Sequence, residues 1–140
     1  MVQNQLIDKI KVRAVYNPNR GLFLIKTKKS GLCGLWTTPG GEIEERQDKK
    51  EGLIELIYKE TGLVPLSIKP TPFYHVEYDN LREMTHVKMF VYQVSLNVIP
   101  DAELSNPYRF FPLNYVNTLK VTRETGRILK SNEFYALMKA

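Results

Sequence analysis

Short runs of apolar residues near the start of the chain predict β-strands. Within residues 10–15 and 22–27, apolar residues either alternate with polar ones or form short continuous stretches, and both patterns are typical of β-strands. Residues 17–21 lie between them and combine asparagine, proline and glycine, which favour tight turns. The pattern therefore predicts an opening β-hairpin.

The strongest helical signal spans residues 48–61. Asp48 is a suitable N-cap with Glu51 three residues later, and Gly62 stands where a left-handed C-cap is favoured. Apolar residues recur at the spacing of one helix face, at Leu53, Leu56 and Ile57. This segment is therefore predicted to be a capped amphipathic helix.

The rest of the chain predicts further strands and then helices. Residues 67–78 and 86–98 are predicted to be long strands, 108–111 a short strand, and 113–119 and 123–138 helices, the second broken near residues 131–132. No internal repeat or linker interrupts this order. The sequence predicts one α/β domain over residues 1–140, with a mixed sheet and helices on its faces.

Composition narrows the class of protein. The 140 residues are 43% hydrophobic and 25% charged, which excludes disordered, collagen-like and disulfide-stapled chains. No run approaches the roughly 18 apolar residues of a membrane helix, and the first eleven residues lack a signal-peptide core. With the single Cys33, these features predict a cytoplasmic protein without a membrane partner. The net charge of +5 favours nucleotide or RNA ligands, although a solvated basic surface gives the same charge.

The segment richest in chemistry is a glycine turn followed by the predicted helix. Trp36 begins a W-x-x-P-G-G sequence that ends at Gly41, and the helix ends in an E-x-G-Leu sequence from Glu60 to Leu63. Paired glycines let a backbone approach a ligand closely. Carboxylates beside such a turn could hold a divalent metal ion.

This arrangement resembles the Nudix hydrolase superfamily, whose box reads G-x5-E-x7-R-E-U-x-E-E-x-G-U, with U a bulky aliphatic residue. Residues 12–28 and 108–113 resemble the opening strands and the late strand of that family. The resemblance implies a Nudix-type α/β/α sandwich with a mixed sheet. It also implies hydrolysis of nucleoside diphosphates linked to another group, with Mg²⁺ or Mn²⁺ held by the box carboxylates.

When the chain is aligned with the box, the spacing of the box is kept, but most of its carboxylate positions are occupied by other residues. Gly41 takes the opening glycine position and Glu60 the last glutamate position. The resemblance therefore implies Gly41 and Glu60 for metal binding, Glu60 for catalysis, and Gly40, Gly41 and Lys59 for substrate binding. The other box positions, in family order E, R, E and E, are occupied by Gln47, Glu55, Leu56 and Lys59.

These replacements predict weak or lost metal-dependent hydrolysis. Leucine offers no oxygen ligand and lysine brings a positive charge, whereas Mg²⁺ requires oxygen ligands. Gln47 and Glu55 can still hydrogen-bond and hold the loop closed. Lys59 either pairs with Glu60 or a ligand phosphate, or is an ordinary surface lysine. The loop carboxylates could compensate for the lost ligands; they are Glu42, Glu44 and Glu45.

Two functional classes remain open. One is a phosphoanhydride hydrolase with an altered metal site, and the other is a non-catalytic Nudix-like module that binds a nucleotide, RNA or a protein partner. The family often adds a glutamate from a late loop, for which Glu103 or Asp101 is the candidate, with Glu103 assigned to catalysis. His75 and His86 lack metal-site spacing and are predicted to be structural.

Overall fold

The computed structural model describes residues 5–17, 21–27, 34–98, 103–104 and 106–139. The strands are β1 (Ile7–Val15), β2 (Leu22–Lys26), β3 (Trp36–Thr37), β4 (Gly40–Ile43), β5 (Ser67–Ile68), β6 (Tyr74–Asn80), β7 (Thr85–Ser95) and β8 (Tyr108–Phe111). The helices are α1 (Lys49–Thr61), a 3-10 helix (Leu113–Thr118), α2 (Arg123–Leu129) and α3 (Asn132–Lys139).

Two sheets form the centre of the fold. The larger has five strands, with β4, β1 and β7 side by side and both β5 and β6 paired to β7. Its β1–β7 pair is parallel and its other pairs are antiparallel, so the predicted mixed sheet is confirmed. The smaller sheet places β2 between β3 and β8, both antiparallel to it.

The predicted opening hairpin is wrong, because β1 and β2 belong to different sheets. A backbone hydrogen bond from Phe23 N–H to the Tyr16 carbonyl, 3.0 Å long, joins the two segments where they approach. Leu22 to Ile25 are all buried, so β2 needs apolar cover on both of its faces. In β1 only Val12, Ala14 and Val15 are buried, so β1 needs less apolar cover than β2 and pairs with different strands. Residues 18–20 of the predicted turn lie outside the described residues.

The predicted strand over residues 67–78 is divided into β5 and β6. Both pair with β7, β5 opposite its end and β6 opposite its first half. Pro70 and Pro72 lie between them and have no N–H to donate, so the ladder is interrupted there. The next strand ends at Ser95 rather than at residue 98.

Most of the helix predictions are confirmed. Glu51 N–H donates to Asp48 Oδ2 over 3.0 Å, and Gly62 adopts φ 80° while its N–H reaches the Tyr58 carbonyl over 2.7 Å. Both predicted caps of α1 are therefore confirmed. The predicted break near residues 131–132 separates α2 from α3, whereas the predicted helix over 113–119 is a 3-10 helix.

Helices cover both faces of the larger sheet, which confirms the predicted sandwich. One apolar cluster lies under α1 and includes Val12 and Ile57. The other lies under α2 and α3 and includes Met89 and Ile128. In the described part of the chain, no helix is long and apolar enough to cross a membrane.

Candidate functional site

A cavity of about 530 Å³ opens beside the glycine turn, and we call it the cleft. The floor of the cleft is formed by β1, whose successive side chains point to opposite faces of the sheet. Val12 packs under α1, whereas Lys11 and Arg13 face the other way and line the cleft. Gly40 and Glu60 line it from the turn and from the end of α1. The cleft therefore gathers residues from three distant parts of the sequence.

The carboxylate of Glu124, near the start of α2, is the electrostatic centre of the cleft. It forms an ion pair with Lys11 Nζ and another with Arg13 Nη2 at 2.5 Å. Burial opposes ionisation of Glu124, but the Arg13 guanidinium and the Lys11 ammonium outweigh it and lower the pKa of this carboxyl. Glu124 is therefore anionic at neutral pH, with its charge offset by two cations.

Tyr78 extends this network from β6. Its hydroxyl donates to Glu124 Oε2 over 3.4 Å, a long hydrogen bond. Burial, and next the negative charge of Glu124, raise the pKa of Tyr78 to about 12. The phenol therefore stays protonated and acts as a donor at the wall of the cleft.

Arg13 also ties the glycine turn to α2. Its Nη1 donates to the Thr38 carbonyl over 2.7 Å and lies 3.3 Å from Thr37 Oγ1. Thr38 N–H donates to Thr125 Oγ1 over 2.9 Å, and all three threonines are buried. Among the described residues, Arg13 Nε is a buried donor without a partner. The turn is thus held rigidly, and one donor of the guanidinium remains unused.

Glu60, at the end of α1, lies against the glycine turn. Gly40 N–H donates to Glu60 Oε1 over 2.7 Å. Burial raises the pKa of Glu60, and the Gly40 hydrogen bond and the positive charges of Arg13 and Lys59 only partly oppose this. Asn106 Nδ2 donates to the Glu60 carbonyl over 2.8 Å and fixes the end of α1. One carboxylate oxygen of Glu60 is therefore already engaged by the protein itself.

Leu56 fills the space next to Gly41. A Cβ on Gly41 would lie 3.4 Å from Leu56 Cδ2, and Leu56 also packs against the apolar cluster under α1. The box position beside the opening glycine is therefore occupied by hydrocarbon. Gln47 Nε2 donates to Glu55 Oε2 over 3.1 Å, which confirms the predicted hydrogen bond across the loop.

Other predicted site residues lie outside the cleft or at its edge. Lys59 and Glu103 are exposed, and neither is among the described residues that line the cleft. Glu42 lines it and pairs with Lys9 Nζ at 2.9 Å. The catalytic role of Glu103 and the binding role of Lys59 stay predictions, and Asp101 lies outside the described residues.

The remaining acids and histidines do not complete a metal centre. Within the described ranges, no group of three or more His, Cys, Asp and Glu residues could hold a metal ion. The loop carboxylates Glu44 and Glu45 are exposed. With Leu56 beside Gly41, the described residues do not fit a metal bound in the manner that the box implies.

The two histidines make structural contacts on the α1 side of the sheet. His86 Nδ1 lies 2.6 Å from Asp79 Oδ1 and its Nε2 lies 3.0 Å from Glu77 Oε1. The hydrogen bonds to Asp79 and then to Glu77 raise the pKa of His86. The His75 ring stacks on Phe90 with centroids 4.4 Å apart.

Sequence reasoning missed Lys11, Arg13 and Glu124. Their pairing joins residues that are 113 and 111 positions apart, so no local pattern reports it. The available signal was the alternation of basic and apolar residues along β1, which is unusual for a strand at the centre of a sheet.

We expect Glu124→Gln to lower the free energy of unfolding by about 1.5–3 kcal/mol at pH 7, since it removes the charge that two cations share. The folded-state pKa of Glu124 is lowered, so its contribution is complete above the unfolded value of 4.5 and is lost as pH falls through the folded value. The difference between the variant and the natural protein should therefore shrink below that pH. Urea unfolding at a series of pH values measures it.

The exposed Glu45→Gln in the loop is the control for Glu124→Gln, and its effect should be near zero. Equal effects of the two variants at pH 7 would show that the buried ion pairs add nothing.

Comparison with known proteins identifies the family and the fold of the chain. A family model described as NUDIX domain matches residues 9–131. The crystal structure of a MutT NUDIX hydrolase from Burkholderia pseudomallei is similar with a TM-score of 0.73 and 19% identity, covering 89% of this chain and 98% of that one. A MutT protein from Methanosarcina mazei Go1 has a TM-score of 0.68 and 20% identity, covering 96% and 95%.

A third similar structure is the NUDIX domain of Shewanella oneidensis NrtR complexed with ADP ribose. Its TM-score is 0.65 at 16% identity, and the match covers 98% of this chain and 90% of that one. No curated protein matches the sequence. At these identities the structural likeness concerns the fold.

Proposed function

The chain belongs to the NUDIX family, and from this we propose that it binds a nucleotide or another phosphoanhydride ligand in the cleft, with metal-dependent hydrolysis weak or lost. The ligand class is a nucleoside diphosphate linked to another group. The proposal combines an intact glycine turn with a depleted set of box carboxylates. RNA, which presents phosphodiester rather than phosphoanhydride groups, is the alternative ligand.

The observation that carries the loss of hydrolysis is the position of Leu56. Its branched end packs beside Gly41, where the box places a glutamate. Mg²⁺ is held by near-octahedral oxygen ligands, and a hydrocarbon group at this point supplies none. Lys59 replaces a second glutamate with a cation, which disfavours a divalent ion nearby. Of the four box carboxylates, only Glu60 keeps its position, and one of its oxygens accepts a hydrogen bond from Gly40 N–H.

Binding of an anionic ligand is supported by a positioned cation rather than by the overall charge of the cleft. Four cations line the cleft together with four carboxylates; they are Lys11, Arg13, Arg82 and Arg123, and Glu42, Glu60, Glu83 and Glu124. Arg13 is held in place by its contacts with Glu124 and Thr38 and keeps a buried, unpartnered Nε. A fixed guanidinium with a free donor suits a phosphate oxygen, because the side chain loses little further freedom on binding.

The rigid turn supports the same ligand class. Gly40 and Gly41 line the cleft with backbone, which a ligand can approach closely. A distant relative in fold, the NrtR NUDIX domain, is described as complexed with ADP ribose. ADP-ribose is therefore the first ligand to test.

Calorimetric titration tests the binding proposal. ADP-ribose and nucleoside triphosphates should bind without added metal, at fixed ionic strength because the contacts are ionic. Arg82→Gln, which removes an exposed cation of the cleft, should weaken binding, whereas Lys69→Gln at an exposed position next to β5 should not. Absence of any binding, or equal effects of the two variants, would contradict the proposal.

Activity assays test the proposed loss of hydrolysis. The natural protein is screened with nucleoside triphosphates, ADP-ribose, dinucleoside polyphosphates and capped RNA, each with Mg²⁺ and Mn²⁺. Turnover should be about 10²–10⁴-fold below that of a protein with a complete box. Robust metal-dependent turnover that disappears in Glu60→Gln would place the chain among working hydrolases.

Metal should also have little effect on folding. We expect thermal melts in EDTA and in millimolar Mg²⁺ to agree within about a degree, because a ligand stabilises a folded protein only when its concentration approaches or exceeds its dissociation constant. The hydrogen bond between Gln47 and Glu55 closes the loop without an ion. Stabilisation by several degrees in Mg²⁺ would contradict this expectation.

A further inference from the structure

A second cavity, of about 470 Å³, lies between the 3-10 helix and α2, and we call it the α2 cavity. Its apolar wall includes Val116 and Leu129. Val116 is buried in the cluster under α2 and α3, and Leu129 packs against that cluster, so this wall is continuous with the protein core. A pocket of this volume is within the range of small-molecule sites.

The charge of the α2 cavity is one-sided. Arg123, Arg127 and Lys130 line it, and none of the described residues that line it is acidic. Three cations around one opening raise the local potential and favour an anion. The cleft differs, because four carboxylates line it together with its four cations.

Arg127 is held in position and has spare donor capacity. Its Cζ lies 4.0 Å from the centroid of the Tyr78 ring, a close cation–π contact. Its Nε is a buried donor without a partner among the described residues. A buried donor that lacks a partner costs free energy, and an anion that accepts its hydrogen bond removes that cost.

From the apolar wall, the three cations and the unpartnered arginine donor, we propose that the α2 cavity binds a small organic anion. The ligand is a carboxylate or a phosphate monoester carried on a short apolar body. Its head group lies among Arg123, Arg127 and Lys130, and its apolar body lies against Val116 and Leu129. This site shares Arg123 and Thr122 with the wall of the cleft, but Arg127, Lys130 and the apolar wall line only the α2 cavity. The proposal does not depend on nucleotide binding.

Gly126 offers a way to fill the cavity without removing a charge. It lines the cavity from α2, and in the described part of the chain a Cβ there would meet only Val121 Cγ2, at 3.6 Å. Leucine is a better helix former than glycine by roughly 0.8 kcal/mol. Gly126→Leu should therefore keep the fold while it takes up the space of the ligand.

The test is calorimetric titration of the full chain with hexanoate and hexyl phosphate at fixed ionic strength. We expect saturable binding of at least one of them, and the tighter one identifies the head group. Gly126→Leu should weaken this binding by about tenfold or more, a loss of about 1.4 kcal/mol. Lys130→Gln should weaken it as well, with Lys69→Gln as the matched lysine control.

Two further measurements separate this site from the cleft and from simple ion binding. Arg82→Gln alters only the cleft and should leave hexyl phosphate binding unchanged. Inorganic phosphate should bind much more weakly, because it lacks the apolar body. The proposal is wrong if neither anion binds, if Gly126→Leu and Lys130→Gln both bind normally, or if inorganic phosphate binds as tightly as hexyl phosphate.

Discussion

Gly40→Ala is expected to destabilise the fold by about 4 kcal/mol or more, the range of exceptional single substitutions. A Cβ at this position would lie 2.1 Å from the Val12 carbonyl oxygen and 2.8 Å from Arg13 Cα. Both neighbours are backbone of β1, so no side-chain rotation relieves the overlap. Gly40 also adopts φ 144°, which side chains rarely accept. The variant should separate β4 from β1 and move the cleft wall.

Urea unfolding followed by the fluorescence of Trp36, the single tryptophan, measures this effect. Gly34→Ala is the control, because Gly34 also has a positive φ, of 88°, but among the described residues nothing lies within 4 Å of its added Cβ. Gly34→Ala should lower the free energy of unfolding by about 1–2 kcal/mol, from backbone strain alone. Similar losses in both variants would show that the contact of Gly40 with β1 is not the cause.

Restoring the box should produce the largest functional change. The variant carries Gln47→Glu, Glu55→Arg, Leu56→Glu and Lys59→Glu, and we expect its Mg²⁺-dependent turnover to rise by about 10²–10⁴-fold. Gln47→Glu and Glu55→Arg replace two side chains that already hydrogen-bond, with Gln47 Nε2 3.1 Å from Glu55 Oε2, so the new pair keeps this contact as an ion pair. Leu56→Glu puts a carboxylate next to Gly41, on the side of the turn where Glu60 lies. Calorimetry with Mg²⁺ should show tighter binding than in the natural protein.

The matched control places glutamine at 56 and 59 and keeps the other two changes. It loses the same apolar contacts of Leu56 but gains no charge, so it separates metal binding from repacking. Both variants should melt below the natural protein in EDTA, because Leu56 packs against the apolar cluster. If the restored variant folds and still binds Mg²⁺ no better than this control, the proposal that the box replacements weaken metal binding is wrong.

Several features of the site were predictable from short stretches of sequence. Asp48, Glu51 and Gly62 act within one helical turn of the ends of α1, and their contacts match the capping prediction. The hydrogen bond between Gln47 and Glu55 spans eight residues of a loop and its helix.

The strand partners were not predictable in this way. The turn residues at 17–21 favour a hairpin locally, but β1 and β2 pair with other strands, since β2 is buried on both faces. Which strand covers which face depends on apolar residues from the whole chain. The local preference for a turn at residues 17–21 is weaker than the requirement to bury both faces of β2.

The sequence by itself determined the resemblance to the family, both caps of α1 and the hydrogen bond between Gln47 and Glu55. Only the tertiary structure decided that Lys11 and Arg13 meet Glu124, that Leu56 packs beside Gly41, and that a basic cavity lies next to α2. The physical reason is the range of the interactions. Caps and helix faces depend on neighbours a few residues away, whereas buried ion pairs and cavities form only where distant segments are packed together.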